Sequence, residues 1–292
     1  MPELPEVEVT RRKIAPLLVG RTIAEVRTTR NSYFFLTPPG RLRRRLEGRR
    51  VEALERAGKY LLARLDSGER LLLHLGMTGQ LFGTGVASVR LLSAGRGGSL
   101  SPEAQVPSFR PDVHTHLCLG FADGGPEVLF RDVRKFGKVQ LLGPDERSPR
   151  LARLGVDALG VNGKALFAAA RERATAIKTL LLDQSVLAGV GNIYADEALF
   201  AAGLRPTRPA RRVDLIECRR LAVALRRVLR RSIATGGSSI SDYIQPDGED
   251  GGYQDERRVY QRTGEPCRRC GARIVRTLIG QRSTHYCPRC QR

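Results

Sequence analysis

The chain contains no tryptophan, and all aromatic residues together make up only 5% of its 292 positions. A groove that binds single strands by stacking base after base needs repeated aromatic platforms. This composition argues against that mode and favours backbone contacts with a few inserted wedges. Acid is scarce as well: 30 Asp and Glu stand against 50 Lys and Arg, a formal net charge of +20. Such an excess points to a polyanion more than to generic surface solubility, and nucleic acid is the leading partner. No apolar run approaches the length of a membrane span, and the N-terminus lacks the basic, apolar, small-residue order of a signal peptide. Neither membrane insertion nor export is expected, and the cytosol is the expected compartment. With 41% hydrophobic residues the chain can still fill the cores of two or three domains.

Cysteine is sparse but patterned. Four of the six form Cys267-x2-Cys270-x16-Cys287-x2-Cys290, which puts two thiolate pairs on two knuckles able to close one tetrahedral zinc site. Four protein ligands leave no open position for water, so the expected role is structural. A disulfide framework is the alternative, but a reducing compartment and the neighbouring Arg268, Arg269 and Arg289 favour thiolates. Cys118 and Cys218 lie in apolar surroundings and are expected to be buried small hydrophobes.

The chain opens Met1-Pro2-Glu3-Leu4-Pro5-Glu6-Val7. A small second residue favours loss of Met1, which would make Pro2 a free secondary amine with a carboxylate beside it. An α-amino group titrates near pH 8, so a useful fraction is unprotonated at neutral pH, and attack on a sugar carbon would give an iminium. The plainer reading is that Pro and Glu simply open a helix, where both residues are favourable. From Val7 to Leu18 the apolar residues Val7, Ile14, Leu17 and Leu18 share one helical face, and Gly20 is a natural stop.

Residues 22–29, 50–56, 60–65, 70–75, 115–121, 127–131 and 138–142 read as strands punctuated by turns, which suggests a sandwich or barrel-like domain. Residues 83–112 are rich in Gly, Ser and Pro and read as a surface excursion. Beyond Gly143-Pro144 the pattern turns helical, at 164–173, 177–183, 193–202 and 213–234. The polar, Gly-rich stretch from Gly236 to Gly252 reads as a mobile loop ahead of the zinc unit. In Leu187-Ala-Gly189-Val-Gly191-Asn192-Ile193-Tyr194, the glycines would let backbone amides approach a phosphate. It is not a dinucleotide fingerprint, since no strand is expected before it and Tyr194 replaces the third glycine. An ordinary joint with Asn192 as N-cap is the alternative.

Together with the Met-Pro-Glu-Leu-Pro-Glu start, several segments resemble the formamidopyrimidine-DNA glycosylase (Fpg/MutM) family along nearly the whole chain. These are Ala57-Gly-Lys59-Tyr60-Leu-Leu, His74-Leu-Gly-Met77-Thr-Gly79, Asp132-Val-Arg134-Lys-Phe136-Gly137, Gly189-Val-Gly-Asn192-Ile-Tyr-Ala-Asp-Glu197 and Gln281-Arg282-Ser-Thr. The resemblance implies an α+β multidomain protein. An N-terminal catalytic β-sandwich with its leading helix would span 1–143 and a helix–two-turns–helix DNA-binding domain 150–235. A flexible lesion-recognition loop would span 236–258 and a zinc-finger β-hairpin 259–292, with DNA in the cleft between domains. It implies a monomeric, nucleoid-associated bacterial enzyme that excises oxidised purines such as 8-oxoguanine and formamidopyrimidines from duplex DNA in base-excision repair. It would also cleave the abasic site by β,δ-elimination.

By position, Pro2 matches the nucleophile at the sugar C1′ and Glu3 the acid/base that assists base departure. Lys59 matches the lysine of β-elimination, and Arg282 the finger arginine that grips phosphates and assists δ-elimination. Met77, Arg134 and Phe136 match the trio that fills the gap left by the extruded nucleotide. Arg173, Lys178, Asn192, Tyr260 and His114 match DNA contacts, with His116 an alternative to His114. Residues 84–112 are longer than the family's usual link, and Val133 and Lys135 stand where Pro and a second Arg are common. The rival readings are an endonuclease VIII-like glycosylase for oxidised pyrimidines and a non-catalytic zinc-ribbon DNA-binding protein.

Overall fold

Short apolar runs separated by turns along the first half of the chain form, among the described residues, eight strands paired antiparallel in two four-stranded sheets. In the computed structural model, which describes residues 1–86, 109–240 and 243–292, the chain forms two compact units. The first comprises residues 1–148 with 236–252, the second 149–235 with 253–292. Helix α1 (Leu4–Leu18) opens the first unit. One sheet joins β1 (Ile23–Thr28), β6 (Thr115–Phe121), β7 (Val128–Asp132) and β5 (Gly79–Gly83) in that order. The other joins β2 (Val51–Ala57), β3 (Tyr60–Leu65), β4 (Arg70–His74) and β8 (Lys138–Leu142). Ile14 and Leu18 of α1 line the same apolar interior as Leu54, Leu71 and Leu73 of one sheet and Leu81, Leu117 and Phe130 of the other. The β-sandwich expectation holds.

Among the described residues of this unit, two elements were not foreseen. Helix α2 (Pro39–Leu46) is a single short, arginine-rich helix that buries only Leu42 and Leu46. Strand β5 begins and ends on glycine and carries only Leu81 and Phe82 as large apolar residues, a weak strand signal. Of the Gly, Ser and Pro-rich stretch, residues 87–108 lie outside the described residues.

The second unit packs α4 (Gly163–Ala170), α5 (Ile177–Leu182), α6 (Asn192–Ala202) and α7 (Leu215–Ala234) with the hairpin β11 (Val275–Ile279) and β12 (Arg282–Tyr286). Short pieces complete it: α3 (Pro149–Ala152), α8 (Tyr253–Glu256) and the strands β9 (Val156–Asp157) and β10 (Leu187–Ala188). Helix α7 begins at a capping box, in which the Asp214 carboxylate accepts from the Glu217 N–H at 2.8 Å and Glu217 accepts from the Asp214 N–H at 3.0 Å. The glycine-rich joint is preceded by a strand after all. It is two residues long and pairs in parallel with β9, too short for a nucleotide-binding crossover. Among the described residues no helix is long and apolar enough to cross a membrane.

Candidate active site and nucleic-acid interface

Helix α1 is buried on all sides of its first two turns, from Leu4 through Thr10, where an amphipathic surface helix would expose one face. Pro2 is buried, and Glu3, the N-cap residue, is only 2% exposed. With Met1 attached the Pro2 nitrogen is an amide, and only its removal creates the amine. Glu6 fixes this terminus: one carboxylate oxygen accepts from the Glu3 N–H at 2.8 Å, the other from the Ser238 N–H at 2.9 Å. The Tyr243 hydroxyl donates to the Glu6 carbonyl at 3.2 Å. Burial, reinforced by Glu6 and Asp247, pushes this phenol well above its usual range, so it stays a donor. Lys13 pairs with Asp247 from the far end of the same loop. Residues 236–240 and 243–252, read from the sequence as mobile, thus fold onto α1, and Ile244 is buried beside Phe82, Phe109, Cys118 and Leu129.

Lys59 occupies the two-residue turn between β2 and β3, where Gly58 takes the positive φ of 56° that so tight a connection requires. It is mostly buried. Arg56 ties this turn to α1, donating to the Gly58 carbonyl at 3.0 Å and to the Glu8 carboxylate at 3.1 Å. Burial works against the charge of Glu8, but hydrogen bonds from Arg11, Arg12 and Arg56 overcome it and hold its pKa at about 2. The elements carrying Pro2, Glu3 and Lys59 are therefore locked to one another through Glu8.

Met77, Arg134 and Phe136 come together on a platform organised by Asp132, which is fully buried. Its carboxylate accepts from the Thr78 hydroxyl at 2.5 Å, the Gly137 N–H at 2.7 Å and the Arg134 N–H at 3.3 Å. Thr78 in turn accepts from the Arg134 N–H at 3.1 Å, closing the two loops on each other. A Cβ on Gly76 would meet the Gly137 nitrogen at 2.4 Å, so only glycine permits this approach. Held this way, Met77 is 36% and Phe136 44% exposed, and the Arg134 guanidinium lies 4.7 Å over the Phe136 ring. Tyr33, itself exposed, donates from its hydroxyl to the Arg134 carbonyl at 3.0 Å. His116 is buried with both ring nitrogens engaged, by Thr29 at 3.1 Å and the Asp132 carbonyl at 2.9 Å. Burial lowers its pKa. His114 is only half-buried, so it, not His116, has a ring near the surface.

In the second unit the four candidate zinc ligands converge, with Sγ separations of 3.9 Å for Cys267 and Cys290 and 3.5 Å for Cys270 and Cys287. Four Zn–S bonds of about 2.3 Å in a tetrahedron require about 3.8 Å between sulfurs, so the set fits one zinc ion. The knuckle amides of Arg269 and Cys290 point at Cys267 and Cys287 sulfur at 3.4 Å each, as anionic thiolates favour. At the hairpin tip, Arg282 is exposed and lines a hollow of about 350 Å³ together with Arg173, Thr179 and Gly280. Arg173 is already paired with Asp183 at 2.9 Å.

Lys178, expected as a DNA contact, lies elsewhere: it is 0% exposed. Its ammonium donates to the Ser283 carbonyl at 2.8 Å and the Thr284 hydroxyl at 2.9 Å, and it pairs with the Asp196 carboxylate at 2.7 Å. Two hydrogen bonds and the ion pair turn its ammonium inward, so it fastens α5 to the finger strand. Asn192 is the first residue of α6, with Gly191 in the N-cap position, and its amide donates to the same Ser283 carbonyl at 2.9 Å. Tyr260 packs edge-on against His285 at 5.0 Å, with its backbone N–H on Glu197.

A family model for the formamidopyrimidine-DNA glycosylase N-terminal domain matches residues 1–139, and the H2TH domain of the same family matches 154–244. A model for the zinc finger found in FPG and IleRS matches 264–292. The chain is 41% identical to the formamidopyrimidine-DNA glycosylase of Solibacter usitatus and 43% identical to that of Heliobacterium modesticaldum, over 100% of each chain. The chain belongs to the formamidopyrimidine-DNA glycosylase family. Among solved structures, MutM (FPG) of Thermus thermophilus aligns with a TM-score of 0.82 at 40% identity, over 99% of this chain and 98% of that one. Lactococcus lactis FPG in complex with Fapy-dG-containing DNA aligns at 0.83 and 32% identity, over 99% and 100%. The complex of that enzyme with abasic-site DNA aligns at 0.84 and 32%, over 99% of each.

Several residues that position this family site were not singled out from the sequence. Glu6, Asp132, Asp196 and Glu197 lie inside quoted motifs, which was their only signal; Arg56 lies outside them, and no local pattern announces that it is partly buried against α1.

Proposed function

We propose that this chain is a bifunctional DNA glycosylase and abasic-site lyase that excises oxidised purines from duplex DNA. The observation that carries the reading is the buried Pro2-Glu3 terminus, capped by Glu6, onto which Ser238 and Tyr243 fold. After removal of Met1, the Pro2 nitrogen lone pair forms a bond to C1′ as the glycosidic bond breaks and its electron pair leaves with the base. Glu3 supplies the proton that assists departure. The Pro2 nitrogen then loses its proton and its lone pair expels O4′ from C1′ as O4′ takes up a proton, so the ring-opened sugar is an iminium on Pro2. Loss of a C2′ proton, assisted by Lys59, expels the 3′-phosphate, and a second elimination, assisted by Arg282, expels the 5′-phosphate. Water hydrolyses the remaining iminium and restores Pro2.

Extrusion of the damaged nucleotide leaves a gap, which Met77 and Phe136 fill while Arg134 bonds the orphaned base. Asn192, Arg173, His114 and Tyr260 contribute backbone contacts, and Lys178 acts indirectly by fixing the finger strand. Zinc, held by Cys267, Cys270, Cys287 and Cys290, supplies structure to the hairpin that carries Arg282.

Borohydride reduction during turnover should link DNA irreversibly to Pro2 in mature protein and not in protein that retains Met1. Trapping on a blocked terminus would move the nucleophile to a lysine. Running the assay on duplexes with 8-oxoguanine, Fapy-dG or an oxidised pyrimidine decides the substrate class. Preference for the pyrimidine would overturn the purine assignment.

A further inference from the structure

The second unit also carries a concavity of about 610 Å³ to which the chemistry above assigns nothing. Its rim holds five arginines: Arg227 and Arg231 on α7, Arg258 ahead of the finger, and Arg268 and Arg269 on the first cysteine knuckle. All five are exposed. The two acids that line it do not balance all five. Glu256 is taken by Arg231 at 2.5 Å. Glu197 is buried and accepts the three successive N–H groups of Arg258, Val259 and Tyr260 at 2.9 Å each. Among the described residues, the guanidinium groups of Arg227, Arg258, Arg268 and Arg269 have no carboxylate at ion-pair distance. Arg269 lies 4.6 Å over the Phe200 ring and Arg268 donates to the Asp255 carbonyl at 3.3 Å, contacts that orient the side chains without balancing their charge.

Arg258 shares the field of Glu256 with Arg231, but Arg227, Arg268 and Arg269 are without a carboxylate partner; crowded around one concavity these groups repel one another, and an anion seated among them relieves that repulsion. Guanidinium forks match the paired oxygens of a phosphate, and the volume is that of a nucleotide-sized group, larger than a bare ion needs. Ala201 and Val228 give the cavity an apolar patch beside the charges. We propose that this concavity binds a phosphate-bearing ligand, at a site that shares no residue with the Arg173 and Arg282 hollow. Two sources present that chemistry: the backbone of duplex DNA beyond the lesion, and a free nucleoside phosphate. The inference is independent of the Pro2 chemistry, because it concerns binding of ligands that carry no lesion.

The test uses the full, zinc-loaded chain and the double variant Arg227→Ala with Arg268→Ala. ADP binding is measured by calorimetry, and binding to undamaged duplexes of 12 and 30 base pairs is measured across a salt series. A variant that binds ADP at least tenfold more weakly assigns the site to free nucleotides. Loss of affinity for the longer duplex alone, with a salt slope lower by about 0.9 per phosphate contact removed, assigns it to flanking backbone. If the double variant fails to retain zinc, Arg227→Ala alone carries the same comparison with a smaller effect. Wild-type affinity for ADP and both duplexes in the variant overturns the site. So does an equal loss on the short and long duplexes without any change in ADP binding.

Discussion

Asp132 offers a perturbation whose size can be worked from its contacts. Replacing it with alanine removes the acceptor for the Thr78 hydroxyl and the Gly137 N–H, whereas the Arg134 N–H keeps Thr78 at 3.1 Å. Two buried donors left without an acceptor cost about 1–3 kcal/mol each, so the first unit should lose about 2–6 kcal/mol. That is a large share of the ~5–15 kcal/mol that holds a typical domain together. Asp132→Asn preserves the shape and one acceptor oxygen, and should cost about 1–3 kcal/mol through the lost charge and a donor now facing Gly137. Urea unfolding followed by circular dichroism measures both. The asparagine variant then permits the functional comparison. With the loops of Met77, Arg134 and Phe136 loosened, excision from damaged duplex should fall at least tenfold more than excision from damaged single strand, where no gap needs filling. An alanine variant within about 0.5 kcal/mol of the parent, inside the range of ordinary surface substitutions, would refute the reasoning. Equal losses on the two DNA forms for Asp132→Asn would do the same.

Glu3→Gln should lower excision of 8-oxoguanine by ~10²–10⁴-fold, the usual worth of acid–base assistance, yet keep substantial nicking at preformed abasic DNA, whose base is already gone. A parallel fall in both activities would mean that Glu3 serves a shared step. For Glu8, whose folded pKa of about 2 lies below its ordinary 4.5, the stabilising contribution is complete above about pH 4.5 and is lost as pH falls toward 2. Glu8→Gln should therefore flatten the stability profile in that window, and an acid titration with unchanged slope would rule the contribution out.

Much of the fold was legible because its signals are local. Apolar runs punctuated by turns gave most of the sandwich strands, and the knuckle spacing of Cys267, Cys270, Cys287 and Cys290 announced the metal centre before any geometry. What stayed hidden depends on contacts distant in sequence. Strand β5 is bounded by Gly79 and Gly83 and has only Leu81 and Phe82 as large apolar residues, and α2 is a short helix of arginines with only two buried leucines. Lys178 looked like any other cation in a basic chain. Its burial follows from Asp196, 18 positions along, and from a finger strand more than 100 positions away, at Ser283 and Thr284. Asn192 had the residue type of an N-cap but sits one position inside the helix, because its side chain is drawn to Ser283 instead.

The adjacent acids Asp196 and Glu197 give the metal a reach beyond its four ligands. Asp196 accepts the His285 N–H at 2.8 Å and holds Lys178, while Glu197 grips residues 258–260. Both carboxylates lie on helix α6, yet most of their partners belong to the finger or to the segment leading into it. If the finger lost its ion and unravelled, the helical bundle would be left with two interior acids stripped of most of their donors and a lysine stripped of both hydrogen-bond acceptors it has in the finger. Zinc binding and bundle stability are then a single linked equilibrium. Free zinc concentration would act on the helices as a denaturant does, in reverse, and a chelator would soften a part of the protein that never touches the metal.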